Sequence, residues 1–159
     1  MKIQKLTKEA FQDVPHSKHN EQFIIDGLRN DNSLTISLVA EVEGKIVGHV
    51  AVSPVTISDG SLSWYGLGPI SVVPEFQSNG IGTELMKCAI EKLKEKSANG
   101  CVLLGDPNYY DRFGFKAESG LVFSGVPQEY FQAILFGSRM PSGEVIYHKS
   151  FYNQGINIR

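Results

Sequence analysis

The first half of the chain shows a helical pattern of apolar residues and then the alternating pattern of β-strands. Apolar side chains within residues 21–29 fall on one side of a helix, for which Asn20 is the expected N-cap. Residues 34–43 alternate between apolar and polar side chains, as half-buried strands do. Two further β-rich runs span residues 45–57 and 61–73. The pattern predicts one helix followed by three strands.

Turn-forming residues separate these predicted strands. Asp59 and Gly60 favour a type I′ hairpin turn, because both central residues of that turn need positive φ angles. Pro54 lacks an amide hydrogen, so the second run is expected to have an edge or a bulge there. The three runs are therefore predicted to form an antiparallel meander.

The second half of the chain contains the clearest helix. In residues 81–96, apolar side chains recur every three or four positions and charged side chains fill the opposite face. Residues 101–104 are predicted to form a short buried strand, residues 109–113 a short helix, residues 127–136 a further helix and residues 144–151 a last strand.

The order of these elements predicts a mixed α/β fold. The strand before the long helix and the strand after it should be parallel and joined by a right-handed crossover. A length of 159 residues is typical of one domain, so a single domain is expected over residues 1–159.

Composition narrows the classes of function. The chain has 15 Lys and Arg against 17 Asp and Glu, a formal net charge of −2, and so lacks the basic field that binds nucleic acid. No apolar run approaches the ~18 residues that a membrane span needs, and residues 1–9 lack the apolar core of a secretion signal. We therefore expect a cytoplasmic protein that binds neither nucleic acid nor membranes.

The cysteines and histidines do not form a recognisable metal pattern. Cys88 and Cys101 lack the CxxC spacing and are expected to be reduced structural thiols. His16 and His19 have the spacing of a ligand pair, but no cysteine or carboxylate pattern converges with them. We expect no metal site.

The loop before the long helix carries the clearest chemical signal. Gly80 and Gly82 lack Cβ atoms, so a ligand oxygen can approach the main chain closely. The first amides of the helix have no partner within it, and the helix dipole favours an anion there. Neither the Gly-Lys-Ser/Thr of a P-loop nor the third glycine of a dinucleotide fingerprint is present. Taken alone, the loop fits a phosphate site and an ordinary turn equally well.

Two motifs, in this order, resemble the GNAT superfamily of N-acyltransferases. Gln77-x-x-Gly80-x-Gly82 is similar to the acyl-CoA signature of that family, Gln/Arg-x-x-Gly-x-Gly/Ala. A second segment is similar to the one after the family's fifth strand, where a tyrosine stands four residues before a Gly-Phe pair; here these are Tyr110 and Gly114-Phe115. The resemblance covers nearly the whole chain in element order and is strongest to an uncharacterised bacterial subgroup.

The resemblance implies a fold, a cofactor and an activity. The fold is a mixed, mostly antiparallel central sheet with flanking helices, in which the fourth and fifth strands splay apart. The activity is transfer of an acetyl group from acetyl-CoA to a primary amine of a small molecule or peptide, by direct attack in a ternary complex. The protein is expected to be a monomer or a homodimer. The residues expected to bind the cofactor are Ile70, Val72, Val73, Gln77, Ser78, Asn79, Gly80, Ile81, Gly82, Thr83 and Asn108.

The sequence departs from the family pattern at three positions. Ser78 and Asn79 stand where the family often has a glycine and a basic residue, so main-chain amides must do more of the pyrophosphate binding. Leu103 stands where the family usually has an asparagine that contacts the cofactor arm. Asn108 is the expected substitute for that contact.

The resemblance implies that Tyr110 is the general acid. A phenol, with an unperturbed pKa near ~10, stays protonated at neutral pH and can donate to a leaving thiolate, whose thiol has a pKa near ~8.5. The sequence does not identify the general base; Glu75, His49 and Asp106 are open, with structural roles the simpler interpretation of each. A CoA-binding protein without catalysis and a nucleotide-binding module remain as alternatives.

Overall fold

The chain forms two compact units. The computed structural model describes Asp26, Arg29, residues 34–148 and Phe151. Unit 1 contains the described residues up to Ser53, the segment Gly68–Ala89 and the described residues from His148 onward. Unit 2 contains Pro54–Leu67 and Ile90–Tyr147. The single domain expected over residues 1–159 stays a prediction.

Strands are the commonest elements in the described residues. They are β1 (Ile36–Val42), β2 (Lys45–Pro54), β3 (Thr56–Ile57), β4 (Trp64–Val72), β5 (Gly100–Leu104), β6 (Lys116–Ala117), β7 (Leu121–Val122), β8 (Phe131–Leu135) and β9 (Gly143–Ile146). The described residues with full element bounds also form two α-helices, α1 (Ile81–Glu95) and α2 (Pro107–Tyr110), and three 3-10 turns, Pro74–Phe76, Asp111–Phe113 and Gln128–Tyr130. In the described part of the chain, no helix is both long and apolar enough to cross a membrane.

Unit 1 is built on the strand order β1-β2-β4 and the start of α1. Strands β1 and β2 are antiparallel, and a bulge leaves Val47 without a partner residue on β1. Gly48 allows α1 to pack closely on β2, because a Cβ atom there would lie 3.0 Å from Cδ1 of Leu85 and 3.1 Å from Cγ2 of Ile81. The buried apolar residues of this unit are Ile36, Val47, Val50, Ala51, Val52, Leu85, Met86 and Ala89.

Unit 2 contains the strand order β4-β5-β8-β6 and a second sheet of order β3-β9-β7. Strands β4 and β5 are parallel, and their pairing runs from Trp64 opposite Gly100 to Gly66 opposite Val102. Strand β8 is antiparallel to both β5 and β6. The mixed α/β fold with a mostly antiparallel sheet is therefore confirmed, as is the parallel pair on either side of the long helix.

Several sequence predictions match these elements closely. Strand β1 lies within predicted residues 34–43, α1 within 81–96, and β5 covers 101–104. The short helix expected at 109–113 begins earlier, as α2, and continues into a 3-10 turn. Of the predicted helix at 21–29 the structure describes Asp26 and Arg29, both helical; its N-cap Asn20 lies outside the described residues.

The helix predicted for residues 127–136 is wrong. A 3-10 turn, in which the amide of Tyr130 donates to the carbonyl of Pro127 at 3.0 Å, imitates a helix start. The chain then extends into β8, which pairs along its whole length with β5. Phe131, Gln132 and Ala133 are all buried, so pairing with a distant strand outweighs the local helical preference.

The predicted meander is confirmed, whereas the predicted hairpin turn needs correction. The strand order is β1-β2-β4, and the amides of Val73 and Val55 donate to the carbonyls of Val47 and Trp64, so β2 and β4 run in opposite directions. The turn at Asp59 and Gly60 forms, but it is not type I′, because only Gly60 of the two has a positive φ angle. Strand β3, directly before the turn, pairs with β9. A carboxylate oxygen of Asp59 accepts from the amide of Ser142 at 3.0 Å, which ties the turn to the segment before β9. That carboxylate also accepts from the amide of Ser61, and these hydrogen bonds lower its pKa to about 2.

Three of the predicted strands have different bounds in the structure. The run 45–57 divides after Pro54, which is the exposed last residue of β2, while the bulge lies at Val47. The run 61–73 becomes a strand only from Trp64. The last strand, predicted for 144–151, is β9 and ends at Ile146, where its pairing with β3 ends.

We expect Gly100→Ala to lower the stability of unit 2. A Cβ atom at Gly100 would collide with the ring of Trp64, which is 2% exposed. Overpacking of this kind costs about 1–3 kcal/mol, which corresponds to a fall in Tm of roughly 2–10 °C for a chain of this size. Gly120→Ala is the matched control, because the nearest atom to a Cβ there is the hydroxyl oxygen of Ser142, at 3.3 Å. Equal melting temperatures for the two variants would contradict the prediction.

Candidate active site

The loop between β4 and α1 is held by its own glutamine. The side-chain amide of Gln77 donates to the carbonyl of Val72 at 2.9 Å, and its main-chain amide donates to the carbonyl of Pro74 at 3.2 Å. Ser78 and Gly80 then adopt left-handed φ angles of 69° and 83°. A glycine would take the conformation of Ser78 without steric cost, which explains why a glycine suits that position in the family pattern.

The first turn of α1 follows directly from this loop. The amide of Glu84 donates to the carbonyl of Gly80 at 3.0 Å, so the amides of Ile81 and Gly82 precede the first hydrogen bond of the helix. Asn79 and Gly80 are exposed, and Ile81, Gly82 and Thr83 are half-buried. An open groove of about 330 Å³, lined mostly by apolar side chains of β1 and α1, lies beside Asn79 and Gly80. The geometry fits an anion site at a helix N-terminus.

The end of β4 turns two of the expected cofactor residues away from β2. The amide of Val73 donates to the carbonyl of Val47 on β2 at 2.8 Å. Main-chain groups of successive strand residues point to opposite sides. The main-chain groups of Ile70 and Val72 therefore face away from β2. The carbonyl of Val72 already accepts a hydrogen bond from the side chain of Gln77.

In unit 2, α2 presents Tyr110 at the end of β5. Asp106 caps this helix, since its carboxylate accepts from the amide of Asn108 at 2.9 Å. The amide of Tyr110 donates to the carbonyl of Asp106 at 3.1 Å. Gly114, with a φ angle of 98°, ends the 3-10 turn that follows. Tyr110 therefore has a defined place on a short, capped helix.

Aromatic rings surround the side chain of Tyr110. The ring of Tyr109 lies edge-on at 4.9 Å between centroids, and the rings of Phe113 and Phe115 both lie at 6.4 Å. Burial raises the pKa of Tyr110, and the nearby Tyr109 and Asp106 raise it further. The phenol therefore keeps its proton at neutral pH, as a proton donor must.

Two residues that the sequence analysis missed support this tyrosine. The ring of Tyr110 covers Gly105, where a Cβ atom would lie 2.8 Å from Cδ2 of the tyrosine. The side-chain amide of Gln132 donates to the carbonyl of Gly105 at 2.9 Å. The Gly105 that directly follows β5 was a visible signal in the sequence, whereas Gln132 fell inside a wrongly predicted helix and carried none.

The other candidates from the sequence occupy varied positions. Asp106 is exposed and its carboxylate serves as the helix cap. Asn108 is exposed on α2, and Leu103 is buried at 1% exposure. Glu75 is exposed on the 3-10 turn after β4. A role for Asn108 in cofactor binding stays a prediction.

His49 is a buried, neutral histidine. Its Nε2 atom shares a hydrogen bond of 2.9 Å with the hydroxyl of Ser37, and the residue is 0% exposed. Burial, with a smaller contribution from the charge of Arg29, lowers the pKa of His49 to about 4. A base with so low a pKa is poorly suited to removing a proton from an amine, and this geometry favours the structural role.

The depressed pKa of His49 predicts acid destabilisation. Between pH ~6.5, the ordinary histidine value, and pH ~4, the unfolded chain binds a proton that the folded chain excludes. The free energy of unfolding should therefore fall with falling pH across this window, by at most about 1.4 kcal/mol per pH unit. Urea unfolding at several pH values, with His49→Gln as the control, measures this slope. An equal slope in the variant would contradict the assignment.

The remaining candidates concern metal and thiol chemistry. Within residues 34–148 and the three other described positions, no group of His, Cys, Asp or Glu side chains converges as metal ligands do. His16 and His19 lie outside the described residues. Cys101 is buried, which raises its pKa, and Cys88 is exposed on α1.

Comparison with known proteins identifies the family. Residues 1–115 match the GNAT acetyltransferase family, and the chain belongs to it. The uncharacterized N-acetyltransferase YhbS of Escherichia coli strain K12 is 34% identical over 115 residues, which is 72% of this chain. The match spans 66% of that relative's length, just under two thirds.

Two solved structures share the fold over almost the whole chain. A GNAT family acetyltransferase from Brucella melitensis, in complex with acetyl-CoA, is 46% identical, with a TM-score of 0.83 over 94% of this chain and 90% of its own. The YhbS protein of Escherichia coli, in complex with CoA, is 28% identical, with a TM-score of 0.84 over 94% of this chain and 86% of its own.

Proposed function

We propose that this protein transfers an acetyl group from acetyl-CoA to a primary amine of a small molecule or peptide. The observation that carries the proposal is membership of the GNAT acetyltransferase family, together with a 46% identical relative that binds acetyl-CoA. The loop geometry supports it. Gly80 accepts the first hydrogen bond of α1, so the amides of Ile81 and Gly82 have no partner within the helix and can donate to an anion. The proposal also includes the expectations that the protein binds no nucleic acid, membrane or metal. It further includes action in the cytoplasm as a monomer or homodimer.

Cofactor binding is assigned to main-chain groups more than to charged side chains. The amides of the loop and first turn, from Ser78 to Thr83, bind the pyrophosphate, and Gln77 holds the loop against the end of β4. The pantetheine arm pairs with the outward main-chain groups of Ile70 and Val72 as an added strand would, with the amide of Val72 as the open group there, because Gln77 occupies its carbonyl. Asn79 adds no charge, so the helix N-terminus provides most of the attraction.

The remaining cofactor contacts complete the expected set. Val73 directly follows β4 and orients Val72 through its hydrogen bond to Val47. Asn108 contacts the cofactor arm in place of the asparagine that Leu103 replaces. These assignments rest on the family resemblance, with support from the exposed position of Asn108.

In the chemical step, the amine nitrogen attacks the thioester carbon and the bond from carbon to sulfur breaks. The proton lost by the amine ends on the CoA sulfur, so the products are an amide and a free thiol. Tyr110 donates its hydroxyl hydrogen to sulfur as negative charge develops there. The raised pKa of the phenol keeps it protonated, and the proton released by the amine restores it.

The test is a screen of amines with acetyl-CoA that measures release of free thiol and the mass of the acetylated product. The expected result is turnover with at least one amine class among polyamines, aminoglycosides, amino acids and peptide N-termini or lysines. Binding of acetyl-CoA without turnover on any amine would favour the CoA-binding protein that lacks catalysis. Competition between ATP and CoA for one site would favour the nucleotide-binding module.

A further inference from the structure

Gln132 is a buried polar side chain that the proposed mechanism does not yet use. It lies in the middle of β8 and is 1% exposed. Its Nε2 atom donates to the carbonyl of Gly105 at 2.9 Å, and its Oε1 atom is buried without a hydrogen-bond partner among the described residues. An unpaired buried acceptor is unfavourable, and its cost offsets what the single hydrogen bond contributes. The amide therefore adds little net stability.

The orientation of this amide is fixed by chemistry. If the amide were rotated by half a turn, Oε1 would face the carbonyl oxygen of Gly105, and two acceptors would oppose each other. Nε2 must therefore point at Gly105. On the other side of the same residue, the amide of Gly105 donates to the carbonyl of Tyr130 at 3.0 Å. Strand β8 and the turn before it thus hold Gly105 through both of its main-chain polar groups.

Gly105 in turn determines where Tyr110 lies. The ring of Tyr110 packs on Gly105 so closely that a Cβ atom would lie 2.8 Å from Cδ2 of the ring. Asp106, the next residue, caps α2 and accepts the amide hydrogen of Tyr110 at 3.1 Å. A shift of Gly105 therefore moves both the start of the helix and the surface beneath the tyrosine ring.

We propose that Gln132 is a positioning residue for Tyr110, acting through the carbonyl of Gly105. This assignment rests on the proposed function, in which Tyr110 donates to the leaving sulfur. Displacing a donor by a fraction of an ångström reduces turnover without changing cofactor affinity, since a hydrogen bond to a reacting atom depends steeply on geometry. Gln132 touches neither substrate nor cofactor in this account.

The first test is Gln132→Met, which keeps the length of the side chain and removes the donor. We expect kcat to fall about tenfold while KM for acetyl-CoA is unchanged. In the Tyr110→Phe background the same substitution should have no further effect on kcat, because the group that it positions is absent. Gln128→Met is the matched control, since its amide also donates to main-chain carbonyls, at Glu118 and Leu121, but not to Gly105.

A second variant protects the test against misfolding of the first. In Gln132→Glu an ionised carboxylate would repel the carbonyl of Gly105, whereas a protonated one would donate to it. The kcat of this variant relative to the wild type should therefore rise as the pH falls. A ratio that stays flat with pH would count against the proposal.

An NMR measurement tests this proposal independently of the proposed function. With tyrosine isotopically labelled at Cζ, the NMR resonance of Tyr110 is the one that is absent from the spectrum of Tyr110→Phe. We expect Gln132→Met to shift this resonance and Gln128→Met to leave it in place. If the wild type transfers no acetyl group, the proposed function fails but this measurement still decides the positioning role. An unmoved Tyr110 resonance, or an equal loss of kcat in both backgrounds, would overturn the proposal.

Discussion

Tyr110→Phe is expected to lower kcat by about 10²-fold or more, while acetyl-CoA binds as tightly as before. The substitution removes one oxygen and leaves the ring, so the aromatic packing against Phe113 and Phe115 is kept. Only the donor to the leaving sulfur is lost. Steady-state kinetics with an amine found in the screen, together with calorimetric titration of acetyl-CoA, measures both quantities.

The neighbouring tyrosine provides the control for this prediction. Tyr109 stacks beneath the guanidinium of Arg112, whose carbon lies 4.5 Å from the ring centroid, and its carbonyl accepts from Nε of that arginine. Tyr109→Phe removes a hydroxyl one residue away and keeps these contacts, so kcat should change little. Near-normal turnover in Tyr110→Phe, or equal losses in both variants, would remove the general-acid role.

The second large effect is expected for Gly82→Glu. The new carboxylate would lie in the first turn of α1, next to the amides that are proposed to bind the pyrophosphate. Repulsion between like charges about 5 Å apart is worth roughly 1–3 kcal/mol in a partly exposed site, so acetyl-CoA affinity should fall about 30-fold. Glutamate is a better helix former than glycine, and the fold should persist.

The matched control changes the charge of the same helix by the same amount. Lys87→Gln also lowers the net charge by one, at an exposed position of α1. If long-range charge alone weakened binding, both variants would lose affinity equally. We expect Lys87→Gln to bind acetyl-CoA within about twofold of the wild type, because exposed charges are screened beyond roughly 8–10 Å. Unchanged affinity in Gly82→Glu would show that the anion does not bind at this helix.

Local signals in the sequence predicted the cofactor loop and the helix after it. The spacing of Gln77, Gly80 and Gly82 and the apolar repeat of α1 depend on neighbours within one or two turns. The structure adds why the residues are suitable: Gly80 needs a positive φ angle and Gln77 closes the loop onto Val72. The resemblance to the GNAT family linked this local pattern to a fold and a cofactor.

Contacts between distant segments could not be predicted in the same way. Residues 131–135 have a composition that suits a helix, and only pairing with β5 makes them a strand. Gln132 supports Gly105 from 27 residues away in the chain, and this contact follows from the strand register. The antiparallel meander was predicted correctly, but β3, just before the turn at Asp59, pairs with β9, which lies more than 80 residues further on.

The pair of Ser37 and His49 shows the same limit on a smaller scale. Alternation predicted the strands that carry them, and the expected structural role of His49 fits its burial. The hydrogen bond between them depends on the register of β1 and β2. Beyond this pair, the bulge at Val47 changes that register by one residue. A bulge has no reliable signal in a single sequence.

Thermal unfolding with and without acetyl-CoA, with ATP as the control, tests whether the protein has an acetyl-CoA site. A ligand at 100 times its dissociation constant stabilises the folded state by about 2.7 kcal/mol, which raises Tm by roughly 5–10 °C for a chain of this size. We expect such a shift with acetyl-CoA and none with ATP. No shift at millimolar acetyl-CoA, or an equal shift with ATP, would contradict this expectation.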